Sequence, residues 1–329
     1  MKKLSLLLIA LVFVCANAFS QKKVELDWVD AQSLTHLGKL CKTTNPYHRV
    51  EVMDYPELNK TEARLLCQAA GQAIVFETNA TQIWVHGEFG MTSDPSGMPR
   101  NASCGFNLYI EKDGEWTWAA SRAGRFVADE NKKLKLDEKP IRMLSNMSGE
   151  MKKCIIYLPL YSELIALEIG VEEGAEIKAM ENPFRHTIAI FGSSFTHGSC
   201  ASAAGQTYPA FFSRKTGLYL CGFGMSGNSK LQPVMGRILG GTEAEAIVVD
   251  AFSNPTIQII DERIDHVEKV MARVTKTYKN VYFINVKDQT GTDHETSADG
   301  IHPTSWGYKR WADAIEKPLV KILKKHGIK

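Results

Sequence analysis

Two short segments carry residue types that could do chemistry together. The first is Ile188-Ala189-Ile190-Phe191-Gly192-Ser193-Ser194-Phe195-Thr196-His197-Gly198, an apolar strand entering a glycine-marked turn that presents serine. The second, far downstream, is Ala298-Asp299-Gly300-Ile301-His302-Pro303, with aspartate three residues before histidine. A serine hydroxyl is a poor nucleophile until a base takes its proton, and the base works best when a carboxylate fixes its tautomer. The expected assignment is Ser194 as nucleophile, His302 as base and Asp299 as the orienting acid. The order Ser, Asp, His agrees with the α/β-hydrolases, but Thr196 stands where the second glycine of their Gly-x-Ser-x-Gly turn would be.

Several neighbours compete. Ser193 adjoins Ser194, but at a strand end its side chain faces the opposite way. His197 could line the pocket or replace His302, yet only His302 has an aspartate three residues before it. Cys200 and Cys221 fall in the same half, and neither has a base at a recognisable spacing. Asp250, at the end of an apolar run, reads as a structural hydrogen-bond acceptor.

The elements that position these residues follow from periodicity. After Asn182-Pro183, strands alternate with helices: strand Thr187–Phe191, helix Tyr208–Lys215 capped by Gly217, strand Leu218–Gly222, strand Ala246–Asp250, helix Ile257–Tyr278, strand Val281–Val286 and helix Trp306–Lys325. This rhythm implies an α/β domain with a parallel sheet covered on both faces. Ligands bind at the carboxyl ends of the strands in such sheets, so Ser194, Gly227 and Asn254, each following a strand, should converge on one rim.

Before Pro183 the pattern is short strands between turns. Strands are expected at Ala73–Glu77, Gln82–Val85, Phe106–Ile110, Trp116–Ala120, Cys154–Leu158 and Ala166–Ile169, after one helix over Leu58–Ala70. Asp113-Gly114 is a hairpin signal. Many short strands at this spacing argue for a β-sandwich or jelly roll. Trp84, His86, Trp116 and Trp118 either pack within this module or form a sugar-stacking surface. The expected layout is a leader over 1–20, a β-rich module over 21–182 and an α/β domain over 183–329.

Met1 to Ser20 reads as a cleaved secretory leader, with Lys2 and Lys3, the apolar run Leu4–Val14 and Ala16-Asn17-Ala18. Bulky Val14 argues against a lipid anchor at Cys15. No later apolar run reaches the ~20 residues of a membrane span. The expected location is therefore periplasmic or secreted. Loss of Lys2 and Lys3 brings the formal charge from +2 to zero, which gives no field to attract nucleic acid or anionic lipid. Six cysteines remain after Cys15, without metal-ligand spacing. They read as buried thiols, although an exported chain could also hold one or two disulfides.

Four blocks in order make the pattern specific. Gly192-Ser193-Ser194-Phe195-Thr196, Gly222-Phe223-Gly224-Met225-Ser226-Gly227-Asn228, Val249-Asp250-Ala251-Phe252-Ser253-Asn254 and Asp299-Gly300-Ile301-His302-Pro303-Thr304 resemble the SGNH (GDSL-type) hydrolases, whose blocks supply serine, glycine, asparagine and histidine. The N-terminal half is similar to a β-rich module of one branch, marked by a Gly-x-Asp-Leu-Tyr run. That run is Gly105-Phe106-Asn107-Leu108-Tyr109 here, with asparagine for aspartate. The resemblance implies a flavodoxin-like hydrolase domain, with a triad of Ser194, Asp299 and His302. It also implies an oxyanion hole from the Ser194 and Gly227 N–H groups and the Asn254 amide, and no cofactor or metal. The activity it implies is removal of short acyl groups, acetyl above all, from a small-molecule or glycan ester. A carbohydrate-binding protein with a decayed site, and a lipase or thioesterase using the same residues, are the alternatives. Ser193 replaces the usual aspartate of that family, and the segment from Asn254 to Asp299 is shorter than the branch implies, by about one strand and one helix.

Overall fold

The alternation Ile83-Trp84-Val85-His86 puts apolar residues on one face of a strand. In the computed structural model, strand β4 (Ile83–Phe89) buries Ile83 and Val85 and leaves Trp84 and His86 half-buried. It pairs antiparallel with β9 (Ile141–Leu144) and β11 (Leu164–Glu172), and β11 pairs with β1 (Leu26–Asp30), in the order β1-β11-β4-β9. A second antiparallel sheet runs β12 (Ile177–Ala179), β3 (Ala73–Thr78), β10 (Lys152–Tyr157), β5 (Gly105–Lys112) and β6 (Glu115–Ala123), with β2 (Thr35–Leu37) also on β3. One buried cluster takes Val85 and Ile169 from the first sheet and Phe76, Phe106 and Ile156 from the second, so the sheets face each other across it. Asp113 and Gly114 both have positive φ, 56° and 84°, as the tight β5–β6 turn requires. A two-stranded ribbon, β7 (Phe126–Ala128) with β8 (Leu134–Leu136), lies apart from both sheets. The structure describes residues 24–128, 130, 132, 134–137, 139–250, 257–286, 288–293 and 295–329. The expected leader, with Cys15, lies outside them.

The parallel sheet is built from β13 (Thr187–Gly192), β14 (Tyr219–Gly224) and β15 (Ala246–Val249), in the order β14-β13-β15. Strands β13 and β14 are buried almost throughout, as parallel strands covered on both faces are. The helices are α1 (Lys60–Leu66), α2 (Arg100–Ser103), α3 (Ser194–His197), α4 (Tyr208–Thr216), α5 (Pro233–Gly240), α6 (Ile257–Thr277) and α7 (Ser305–Lys325). Helix α4 packs on β14 and on α7. No described helix is long and apolar enough to cross a membrane.

The β-rich half also packs against β14. The Tyr219 hydroxyl donates to Gly71 O at 2.9 Å, and the Cys221 thiol lies 3.2 Å from Gly38 O. Gly71 has φ +81°, and a Cβ there would sit 2.8 Å from Gly222 N, so backbone packs on backbone. A shared apolar cluster holds Leu37, Leu66 and Ile155 together with Ile188, Leu220 and Phe223. Between the halves lies Arg49, 3% exposed. Its guanidinium donates to Gln68 O at 3.0 Å, to Gly222 O at 3.1 Å, to Gly224 O at 3.0 Å and to Leu65 O.

Two expectations need correcting. Val281–Val286 is not a strand; it runs without regular structure, and the parallel sheet has three strands among the described residues. Its apolar alternation is half-buried, and side chains rather than a ladder tether it: Asn285 donates to Glu268 at 2.6 Å, and the Tyr282 hydroxyl lies 3.0 Å from His326 Nε2. Helix α1 is shorter than Leu58–Ala70. It starts at a reciprocal cap, with Asn59 Oδ1 accepting from the Thr61 and Glu62 N–H groups and Glu62 accepting from the Asn59 N–H. Its end is set by Gln68, which bridges to Glu163.

Arg49→Leu would strip a donor from four carbonyls, of which Leu65 O keeps the Gln68 N–H at 3.2 Å; a buried carbonyl left unpaired costs about 1–3 kcal/mol. Urea unfolding is expected to show a loss of about 3 kcal/mol or more, and a loss below about 1 kcal/mol would contradict this role.

Candidate active site

Ser194 opens α3, a single turn pressed onto the sheet, and is 3% exposed. Three contacts define the turn. Ser193 caps it, its Oγ accepting from the Phe195 N–H at 3.4 Å; Gly198 ends it with φ +97°. On its sheet side, a Cβ on Gly224 would overlap the His197 backbone nitrogen, so α3 sits directly on β14. Thr196 Oγ1 then donates to Asp250 Oδ2 at 2.9 Å, and the Tyr208 hydroxyl donates to the same oxygen at 3.0 Å. Asp250 is thus the structural acceptor that its place at a strand end suggested. Burial pushes its carboxyl up, against the two hydroxyl donors.

The second segment is a tight loop leading into α7. The Ala298 N–H donates to His302 O at 2.9 Å and the Thr304 N–H to Thr296 O at 2.7 Å, while Gly300 takes φ +84°. Asp299 Oδ1 accepts from the N–H groups of Ile301 (2.9 Å) and His302 (2.7 Å), and Oδ2 lies 2.7 Å from His302 Nδ1. This explains the spacing of three: one carboxylate oxygen holds the loop and the other holds the ring. Arg310 fixes the approach to the loop, gripping both Asp293 oxygens at 2.8 Å and Thr290 O at 3.1 Å.

The two segments meet. His302 Nε2 lies 2.9 Å from Ser194 Oγ, and the Phe195 ring centroid is 5.5 Å from that of His302. Burial would lift the Asp299 carboxyl, but the hydrogen bonds from the His302 ring and the two backbone N–H groups outweigh it and bring the carboxyl down to about 2. An ionised carboxylate can only accept, so His302 Nδ1 carries the proton and Nε2 is left to accept from the Ser194 hydroxyl. This is the arrangement a general base needs.

His197 does not compete. It is 1% exposed and stacks on Tyr161 with centroids 4.1 Å apart. Its Nε2–H donates to Leu160 O at 2.7 Å. Burial, then the charge of Arg49, holds its pKa well below the ordinary value, so it stays neutral. Gly227 lies in the turn Met225–Asn228, closed by the Asn228 N–H on Met225 O at 2.8 Å, and has φ +68°. Glycine is favoured at that place in such a turn. Asn254 lies outside the described residues. Cys200 and Cys221, with Cys41, Cys67, Cys104 and Cys154, are free thiols. The four aromatic candidates divide between sheets, Trp84 and His86 on β4 and Trp116 and Trp118 on β6, so they do not form one surface.

Sequence reasoning missed several supporting residues. Arg49 joins two backbones and carries no local motif. Cys200 lies with Sγ 3.9 Å from Asp299 Oδ2 and has positive φ, 63°. Tyr161 reaches Ser199 Oγ at 2.6 Å. Thr196 stood in the quoted block, and its tie to Asp250 was legible only as a departure from glycine.

Comparison with known proteins bears on the family and the fold. Residues 26–177 match the family described as the N-terminus of SGNH hydrolase-type esterases, and residues 185–274 match the GDSL-like lipase/acylhydrolase family. A crystal structure of a Bacteroides ovatus protein assigned as a GDSL-like lipase is 31% identical, with TM-score 0.80, covering 91% of this chain and 98% of that one. A salicylyl-acyltransferase from a tetracycline biosynthetic pathway is 20% identical, with TM-score 0.52 and coverage of 92% and 83%. A family two carbohydrate esterase from Cellvibrio japonicus is 9% identical, with TM-score 0.57 and coverage of 91% and 98%. At these identities the last two share the fold alone. No curated protein matches the chain.

The Asp299 carboxyl is depressed from 3.8 to about 2, so its stabilising contribution is present above about pH 4 and is lost as pH falls toward 2. Asp299→Asn should therefore unfold more easily in urea at pH 7, with a smaller deficit at pH 3. A deficit equal at both pH values would contradict the assignment.

Proposed function

The chain belongs to the GDSL-like (SGNH) esterase family and is a serine ester hydrolase; from that premise we propose that Ser194, His302 and Asp299 are its triad and that it is an exported enzyme removing short acyl groups, acetyl foremost, from carbohydrate esters. The observation carrying this reading is the unbroken hydrogen-bond chain from Ser194 Oγ through His302 to Asp299. In this reading the leader occupies 1–20, a β-sandwich module 21–182 and a flavodoxin-like hydrolase domain 183–329.

The chemistry follows from the proton positions. Ser194 Oγ attacks the ester carbonyl carbon as its proton passes to His302 Nε2. Asp299, already accepting the Nδ1–H, stabilises the imidazolium that forms. The carbonyl oxygen becomes an oxyanion, met by the N–H groups of Ser194 and Gly227 and the Asn254 amide. One such donor contributes about 3–4 kcal/mol in other enzymes. Collapse of the tetrahedral species breaks the ester C–O bond, and the departing alcohol takes the His302 proton. Water, activated by His302, then attacks the acyl-serine and releases the acid. No step requires a metal or cofactor.

The carbohydrate preference rests on the zero formal charge without the leader and on the expected export. Against a site decayed into a binding module stand the distances from Ser194 to His302 and from His302 to Asp299, which suit a nucleophile, base and acid. Ser194→Ala is expected to lower kcat on 4-nitrophenyl acetate at least about a thousandfold, with circular dichroism unchanged. Retained hydrolysis would reject Ser194. Acetyl should be hydrolysed faster than octanoyl, and the reverse order would favour a lipase.

A further inference from the structure

A cleft of about 410 Å³ opens between the β-rich half and the hydrolase half. That lies within the roughly 300–1,000 Å³ of small-molecule sites. Arg64 and Leu65 on α1, Ser93, Asp94 and Pro95 on the loop after β4, and Tyr161 and Ser226 line it. One chain link and two runs of contacts lead from it toward the site. Ser226 precedes Gly227 in the chain. The Tyr161 hydroxyl lies 2.6 Å from Ser199 Oγ, and the Ser199 N–H donates to Ser194 O at 2.9 Å. At the far end of the same loop, Gly97 faces Cys200, a Cβ there lying 3.6 Å from the thiol, and Cys200 lies 3.9 Å from Asp299 Oδ2.

We infer that this cleft is the subsite for the alcohol half of the ester and that Arg64 and Asp94 select a hydroxyl-rich, uncharged alcohol, a sugar ring, there. The inference rests on Ser194 being the nucleophile, since it places the leaving group on the β-rich side of that residue. Arg64 offers only donors and Asp94 only acceptors, while neighbouring sugar hydroxyls offer both. One cation and one anion in the same wall cancel, so a phosphate or carboxylate gains nothing from Arg64 that Asp94 does not oppose. The Arg64 guanidinium also stands 3.5 Å from Ser93 Oγ, at the limit of a hydrogen bond, and can turn to a ligand. A fatty alcohol would need a continuous apolar wall, and here Arg64, Ser93, Asp94 and Ser226 interrupt Leu65, Pro95 and Tyr161. The β-rich half thereby becomes a specificity element of the hydrolase.

The test compares kcat/KM for a mono-acetylated methyl xyloside with that for 4-nitrophenyl acetate, whose leaving group has no ring hydroxyls. In Arg64→Ala and Asp94→Ala, the ratio of sugar ester to aryl ester should fall about tenfold or more, the loss expected for a hydrogen bond to a charged group. Both residues are exposed, so the variants should fold. An unchanged ratio, or an equal fall on both esters, would overturn the inference. Calorimetry with methyl xyloside on Ser194→Ala protein reads the cleft without chemistry: binding weakened by adding Arg64→Ala supports it, and no binding overturns it. Failure of the Ser194 reading would show separately, as hydrolysis surviving in Ser194→Ala.

Discussion

One buried guanidinium holds the two halves of this protein in register. Among the described residues Arg49 has no carboxylate partner; it donates to four backbone carbonyls, two at the end of helix α1 and two on strand β14. A buried charge satisfied only by carbonyls is stable where its hydrogen bonds replace those of water and water is excluded. The glycine contact at Gly71 and the shared apolar cluster keep water out. The result reaches the site, because β14 leads directly into the Met225–Asn228 turn that carries Gly227. The placement of the β-rich half and the placement of Gly227, the proposed oxyanion donor, are set by the same side chain.

The serine is positioned by close approach rather than by bulk. Helix α3 is one turn long, too short to be stable by itself, and it is held from three directions: by β14 through Gly224, by Asp250 through Thr196, and by its own caps. Ser194 is buried, and its Oγ lies 2.9 Å from His302 Nε2. The histidine loop uses another device, in which one carboxylate fixes both backbone and ring. Rigid placement of a nucleophile and a base, the roles proposed for Ser194 and His302, makes proton transfer between such groups efficient.

Much of this was legible in the chain because it depends on local pattern. Buried strands β13 and β14, the Asp113-Gly114 hairpin, the Gly217 helix stop and the Asp-x-x-His loop each follow from a few adjacent residues. The blocks around Ser194 and His302 named the residues that the fold brings within 2.9 Å. What escaped depends on distant partners. Val281–Val286 has the alternation of a strand, but without a neighbouring ladder among the described residues it stays irregular, held by Tyr282 and Asn285 side chains. Arg49 carries no local motif in the sequence, and only its acceptors on β14 and around the end of α1 reveal its role. The cleft along Arg64 and Asp94 likewise exists only where two halves meet.

The central claim is that Ser194 is an activated nucleophile driven by His302. Treating the purified protein with a fluorophosphonate and mapping the adduct by intact mass and peptide analysis tests it without knowledge of the substrate. The account predicts a single adduct on Ser194 that is absent in His302→Ala. Folded protein that takes up no probe, or takes it up on another residue, would contradict it.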